Sequence, residues 1–158
     1  MRSIYRFVFL LLALSTTLSF ADTKKPVAKP VGAAPDKALL QKIWDGWSTL
    51  DPSNVAEYYA TGPHTFFDIA PLKYASWDEY KAGVTKELGD YKSATFTVND
   101  DTEIHPAGQY AWVTSTVKYE MTQKSGKREM GNFRWTAVFE RQNGKWVTVH
   151  EHVSAPLQ

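Results

Sequence analysis

The pair Asn143-Gly144 stands between two alternating runs, Arg128 to Arg141 and Trp146 to Ser154. Both residues tolerate positive φ, so the pair favours the tight turn of an antiparallel hairpin. Side chains alternate along a strand, which sets Trp146, Thr148, His150, His152 and Ser154 on one face of the second run. Val147, Val149 and Val153 fall on the other. Two histidines are therefore expected side by side on one face of the last strand.

Upstream, the period is first helical and then alternating. Asp36 can cap a helix whose apolar positions are Leu39, Leu40, Ile43, Trp44, Trp47 and Leu50. Asp51-Pro52 restarts a helix that buries Val55, Tyr58 and Tyr59, and Gly62-Pro63 breaks it. His64 to Asp68 reads as a short strand. Ser76 and Glu79 form a capping box for a third helix with Trp77, Tyr80, Val84 and Leu88 as its apolar stripe. Beyond Gly89 the chain reads as four strands: Tyr91 to Ile104, Gln109 to Thr122, Arg128 to Arg141 and Trp146 to Ser154. His105-Pro106-Ala107-Gly108 is expected to turn between the first two. Helices first and an antiparallel meander afterwards make the class α+β.

The amino-terminal residues differ in composition. Arg2 and Arg6 precede an apolar run, Phe7 to Leu14, and Ser19-Phe20-Ala21 supplies small residues where a signal peptidase cuts. Residues 1–21 are expected to be a secretory signal peptide, the run being far below the ~20 residues of a membrane span. Export to the periplasm or the exterior is expected, without stable membrane insertion after cleavage. Residues 22–35 are rich in Pro, Ala and Lys and read as an extended linker. Residues 36–158 are expected to form one domain. Formal net charge is only +1, and cleavage would remove Arg2 and Arg6. No basic excess remains to hold a phosphate backbone, which argues against nucleic acid. The chain has no cysteine, so the domain must be held by its core rather than by disulfides.

The order of elements, with the closing run GKWVTVHEHVSAP, resembles the nuclear transport factor 2-like superfamily. This is the cone-shaped fold of ketosteroid isomerase and of the SnoaL-like proteins. The last strand is also similar to that of the calcium/calmodulin-dependent kinase II association domain, of the form G-K-W followed by H-x-H-x-S. The resemblance implies three helices packed in a strongly curved antiparallel sheet, a cavity inside the cone, and a homodimer through the outer sheet face.

It also implies that Asp68, which closes the HTFFD segment, stands where isomerase-like enzymes carry a carboxylate base, with His64 as its candidate partner. The isomerase's tyrosine on the first helix has no counterpart, because Trp44 and Trp47 occupy that helix. The facing strand positions are expected to be Tyr110, Trp112, Thr114, Thr116 and Lys118, with no acid before Glu120. Two arginines that hold carboxylates in the kinase association domain fall here at Ala137 and Val153. Residues i and i+2 on a strand lie ~6.6 Å apart, so His150 and His152 could share a metal with His64 or Asp68. The relatives with H-x-H-x-S use these positions for the pocket wall and the subunit contact, and no metal or cofactor is expected.

The expected pocket lining is Trp44, Tyr58, Phe66, Trp112, Thr114, Arg134, His150 and His152. Arg134 could hold a carboxylate group of the ligand. Asp68 is expected to lie close to His150. The leading expectation is an exported domain that binds a small, partly apolar molecule in an aromatic cavity. The alternatives are an isomerase, dehydratase or hydrolase using Asp68 and a histidine as acid and base, or a dimeric assembly module.

Overall fold

The computed structural model describes residues 33–156. The expected signal peptide and most of the expected linker lie outside the described residues. The linker's last residue is part of the domain: Pro35 is buried, and the Trp146 indole donates to the Ala33 carbonyl at 2.9 Å.

Helix α1 spans Lys37–Trp47. Asp36 caps it by accepting from the Leu39 amide at 2.8 Å. Leu40, Ile43, Trp44 and Trp47 form its buried stripe. The expected second helix is a 3-10 segment, Pro52–Tyr58, with Asp51 as N-cap. Seven residues are enough for two tight turns, and short segments commonly wind this way. Helix α2 spans Trp77–Leu88 under the Ser76 cap, and Glu79 reaches back to the Ala75 amide at 2.8 Å. Among the described residues no helix is long and apolar enough to cross a membrane.

The strands are β1 Phe66–Phe67, β2 Tyr91–Val98, β3 Glu103–Ala107, β4 Tyr110–Gln123, β5 Arg128–Gln142 and β6 Lys145–Ser154. They form one sheet in the order β1-β6-β5-β4-β2, with β3 also paired to β4. The fold is α+β with a curved mixed sheet and three helical segments. It departs from a four-stranded antiparallel meander in two ways. First, β1 joins β6 in parallel, pairing Phe66 with Glu151 and Phe67 with His152. Second, the strand expected over Tyr91 to Ile104 is two strands divided at Asn99-Asp100-Asp101-Thr102. There Asp101 accepts from the Thr116 amide at 3.0 Å and its hydroxyl at 2.7 Å. This is side-chain turn chemistry set inside an alternating run. His105-Pro106 belongs to β3 rather than to a turn, opposite Trp112 and Ala111. Proline is tolerated in a short strand of this kind at a sheet's edge, where its missing N–H breaks no ladder. The turn comes later, at Gly108 with φ 69°.

Asn143 and Gly144 have φ of 52° and 83°, the positive values of the expected hairpin turn. The hairpin's register then breaks: Val138 pairs with His150 but Phe139 pairs with Thr148, leaving Val149 as an extra, bulged residue. This shift inverts the faces of the rest of β6. Thr148, Glu151 and Val153 point inward and are buried, while His150 and His152 point outward.

The core lies between α1 and the sheet. Trp44 packs on Phe96, Phe133 and Trp135 at ring distances of 5.3, 5.1 and 5.5 Å. Helix α1 also covers the backbone edge of β2. Gln41 donates to the Phe96 carbonyl and accepts from the Val98 amide, each at 2.9 Å, and Ser48 accepts from the Phe96 amide. An edge strand tied to a helix in this way offers no free ladder to other chains.

Candidate functional site

The sheet and α2 enclose a cavity of about 520 Å³. Trp44 and Trp47 come from α1, Tyr80, Val84 and Glu87 from α2, and Phe96, Tyr119, Phe133 and Val153 from the strands. The helical period of α2 brings Tyr80, Val84 and Glu87 to one face. Asp68 enters the wall from the segment after β1. Strand alternation sends Phe66 inward, Phe67 outward and Asp68 inward again.

Burial pushes the Asp68 carboxyl up to about 7. The Ile69 backbone N–H, donating at 2.7 Å, pulls it partly back. The negative charges of Glu151 and Glu87 raise it further, and the Tyr80 hydroxyl lowers it. Burial also raises the Glu87 carboxyl.

Behind this wall Glu151 is wholly buried. Its Oε1 accepts from the Tyr80 hydroxyl at 2.5 Å, and its Oε2 accepts from the Tyr59 hydroxyl at 2.9 Å and the Trp135 indole at 3.0 Å. The Trp47 indole in turn donates to the Tyr59 oxygen at 3.0 Å. Burial raises the Glu151 carboxyl, while the three donors oppose the rise. Tyr59 and Tyr80 are pushed well above the ordinary tyrosine range, first by burial and then by the Glu151 charge. The carboxylate is thus held by neutral donors.

The sequence-predicted residues divide by face. Asp68 and Trp44 line the cavity. Phe66 lies beneath it, stacked on Tyr80 at 5.3 Å. Tyr58 is buried beside the Lys42 ammonium, outside the lining. His64 sits at a turn near Glu140 rather than beside Asp68. Trp112, Thr114, Arg134, His150 and His152 lie on the outer sheet face and do not line the cavity. For β4 and β5 the inward positions are the odd-numbered ones, Ala111, Val113, Val117, Phe133, Trp135 and Ala137 among them. For β6 the cause is the Val149 bulge. His150 binds the Thr65 carbonyl at 2.7 Å, and Phe67 meets both histidine rings edge-on at 5.5 and 5.7 Å. The expected pairing of Asp68 with His150 is therefore not made. Arg134 hydrogen-bonds the Ala155 carbonyl.

Glu151 and Tyr80 are site residues that the sequence pattern did not single out. The signal was a carboxylate in phase with Val147, Val149 and Val153, an acid in an otherwise apolar row. Such an acid must find donors, and aromatic hydroxyls and indoles supply them.

The profile of the SnoaL-like domain family matches residues 37–158. No curated protein matches the chain. Among solved structures, it is similar to a nuclear transport factor 2-like protein from Salmonella enterica, with TM-score 0.67 and 17% identity over 77% of this chain and 92% of that one. It is similar to a nuclear transport factor 2-like protein from Pseudomonas putida, with TM-score 0.63 and 23% identity over 77% and 87%. The association domain of C. elegans calcium/calmodulin-dependent kinase II aligns with TM-score 0.60 and 18% identity over 75% and 91%. At these identities the likeness is one of fold. With the family profile covering the whole cone from α1 to the end of β6, the chain belongs to the SnoaL-like domain family of the nuclear transport factor 2-like fold.

Proposed function

We propose that this domain binds a small, partly apolar molecule inside the cone, acts outside the cytoplasm, and pairs with a second copy through the outer sheet face. The cavity carries the reading. Its 520 Å³ falls within the usual range for ligand sites, and its wall is aromatic and aliphatic with a few polar groups, Asp68 and Glu87 among them. Export rests on the leader-like residues 1–21. Pairing rests on the outer face, where Tyr110, Trp112 and Met130 remain 48%, 43% and 67% exposed. The neutral dye Nile red tests the binding. One saturable site per chain is expected, lost in Val84→Phe, which fills the space beside α2. Absence of saturable binding, or binding untouched by that substitution, would remove the cavity reading.

A second reading is acid–base catalysis, favoured by one observation: a cavity-wall carboxyl held near neutrality. A group poised at about 7 can take and return a proton at the pH of most habitats. No histidine lines the cavity among the described residues, so the partner would be Tyr80. Carbon-detected NMR titration of the Asp68 carboxyl decides whether the group is poised. An ordinary carboxylate value would end this reading.

A further inference from the structure

We propose that the cavity selects an amphipathic cation, a ring-bearing amine whose ammonium sits against Asp68 and Glu87. The inference rests on the binding function proposed above and names its ligand class. Its first support is the charge of the wall. Asp68, Glu87, Asp90 and Glu129 all line the cavity, and among the described residues no lysine, arginine or histidine does. Glu129 is already satisfied by Lys127 at 2.8 Å, by the Tyr91 hydroxyl and by Gln123. Asp68, Glu87 and Asp90 make no salt bridge among the described residues. The groups that face Asp68 are Tyr80 and Glu87 from α2, Glu151 from β6, and Tyr59 and Tyr74 from the connecting segments. None is cationic.

The second support is the wall's other component. Trp44, Trp47, Tyr80, Tyr91 and Tyr119 present aromatic surface to the same space. Aromatic faces, negative above and below the ring, attract a cation and pack against an apolar ring, whereas they repel an anion. The third support is Trp44 itself. Its side chain is buried at 5% exposure, and its indole N–H has no partner among the described residues. A buried donor left without an acceptor is costly. The carboxylates do not reach it, so an acceptor on the ligand, such as the π face of its ring, would complete it. Burial holds the Asp68 and Glu87 carboxyls above their ordinary range, and an incoming ammonium would draw both back down. Amine binding should therefore strengthen as pH rises through neutrality.

Three matched probes separate charge from size: naphthylmethylamine, naphthylmethanol and naphthoate, titrated calorimetrically into the full domain. The amine is expected to bind at least about tenfold more tightly than the alcohol, with naphthoate weakest. Raising the salt should shrink that preference. Asp68→Asn with Glu87→Gln should abolish the preference of amine over alcohol, both measured on the same variant. Circular dichroism confirms that the variant is folded. If the alcohol or naphthoate binds as tightly as the amine, or the double substitution spares the preference, the cation inference fails and the cavity reading stands. If Nile red binds and the amine does not, the inference fails alone. If nothing binds, both fail.

Discussion

A single acid, Glu151, organises the interior, and its consequences are thermodynamic. It accepts from three donors, so Glu151→Ala would strand the Tyr59 hydroxyl and the Trp135 indole and leave the Tyr80 hydroxyl only Asp68 to turn to. A loss of about 3–5 kcal/mol is expected, as for breaking other buried charged networks. Tyr80→Phe removes one donor and is expected to cost about 1–3 kcal/mol. Chemical denaturation of both variants checks the ranking. Asp68 acts in the opposite sense. Its carboxyl is raised from 3.8 to about 7 by folding, so between those values the folded chain holds more of the proton than the unfolded chain. Stability contributed at Asp68 is therefore full at low pH and declines as pH rises toward about 7. Asp68→Asn is expected to flatten that decline and to raise the melting temperature at about pH 8, with little change near pH 4. A melting curve at each pH shows whether the variant gains at the alkaline end.

At the scale of elements, what the sequence conveyed follows from how local each signal was. The caps at Asp36, Asp51 and Ser76 and the Asn143-Gly144 turn act within a few residues, and all are legible from the residue order alone. The β6 faces are not. Alternation counted from Trp146 places His150 inward, and only the pairing partner on β5 reveals that Val149 is surplus. The same limit applies to β2 and β3, where the Asn99 to Thr102 turn is stabilised by Thr116 on another strand. Asp68 was legible because the resemblance placed it at the end of a short strand, whereas Glu151 was hidden behind the histidines on either side. Helix α2 offers a test of packing against propensity. Alanine normally exceeds glycine in a helix by about 1 kcal/mol. At Gly83, however, an added Cβ would lie 2.3 Å from the Tyr74 hydroxyl, and that ring is packed against Tyr80 at 5.1 Å. Gly83→Ala is expected to destabilise by about 1–3 kcal/mol despite the propensity gain. A rise in melting temperature would show that the Tyr74 ring yields.

For the molecule as a whole, the two faces of the sheet differ in what they carry. The inner face builds the core and the cavity. The outer face carries Trp112, on which His105 stacks at 3.6 Å, together with the exposed Tyr110 and Met130. If this face pairs two copies, light scattering should report about twice the mass of the chain, and Trp112→Glu should halve it without unfolding the domain. A single-chain mass at every concentration would refute the pairing. The arm before α1 makes a further distinction. Removing residues 22–31 is expected to leave stability within about 0.5 kcal/mol. Extending the deletion through Pro35 removes a buried ring and the acceptor of the Trp146 indole, and should lower the melting temperature measurably.

The aromatic interior also gives the molecule an optical property. Tyr59 lies face to face with Trp77 at 4.4 Å, Trp47 meets Trp77 at 6.1 Å, and Trp44 meets Trp135 at 5.5 Å. Chromophores this close exchange excitation, so these tryptophans deep in the domain should emit as coupled groups rather than singly. Trp44 and Trp47 belong to those groups and also form part of the cavity wall. Whatever enters the cone should therefore alter the ultraviolet emission of the whole chain, and a fluorimeter can follow its arrival with no label attached.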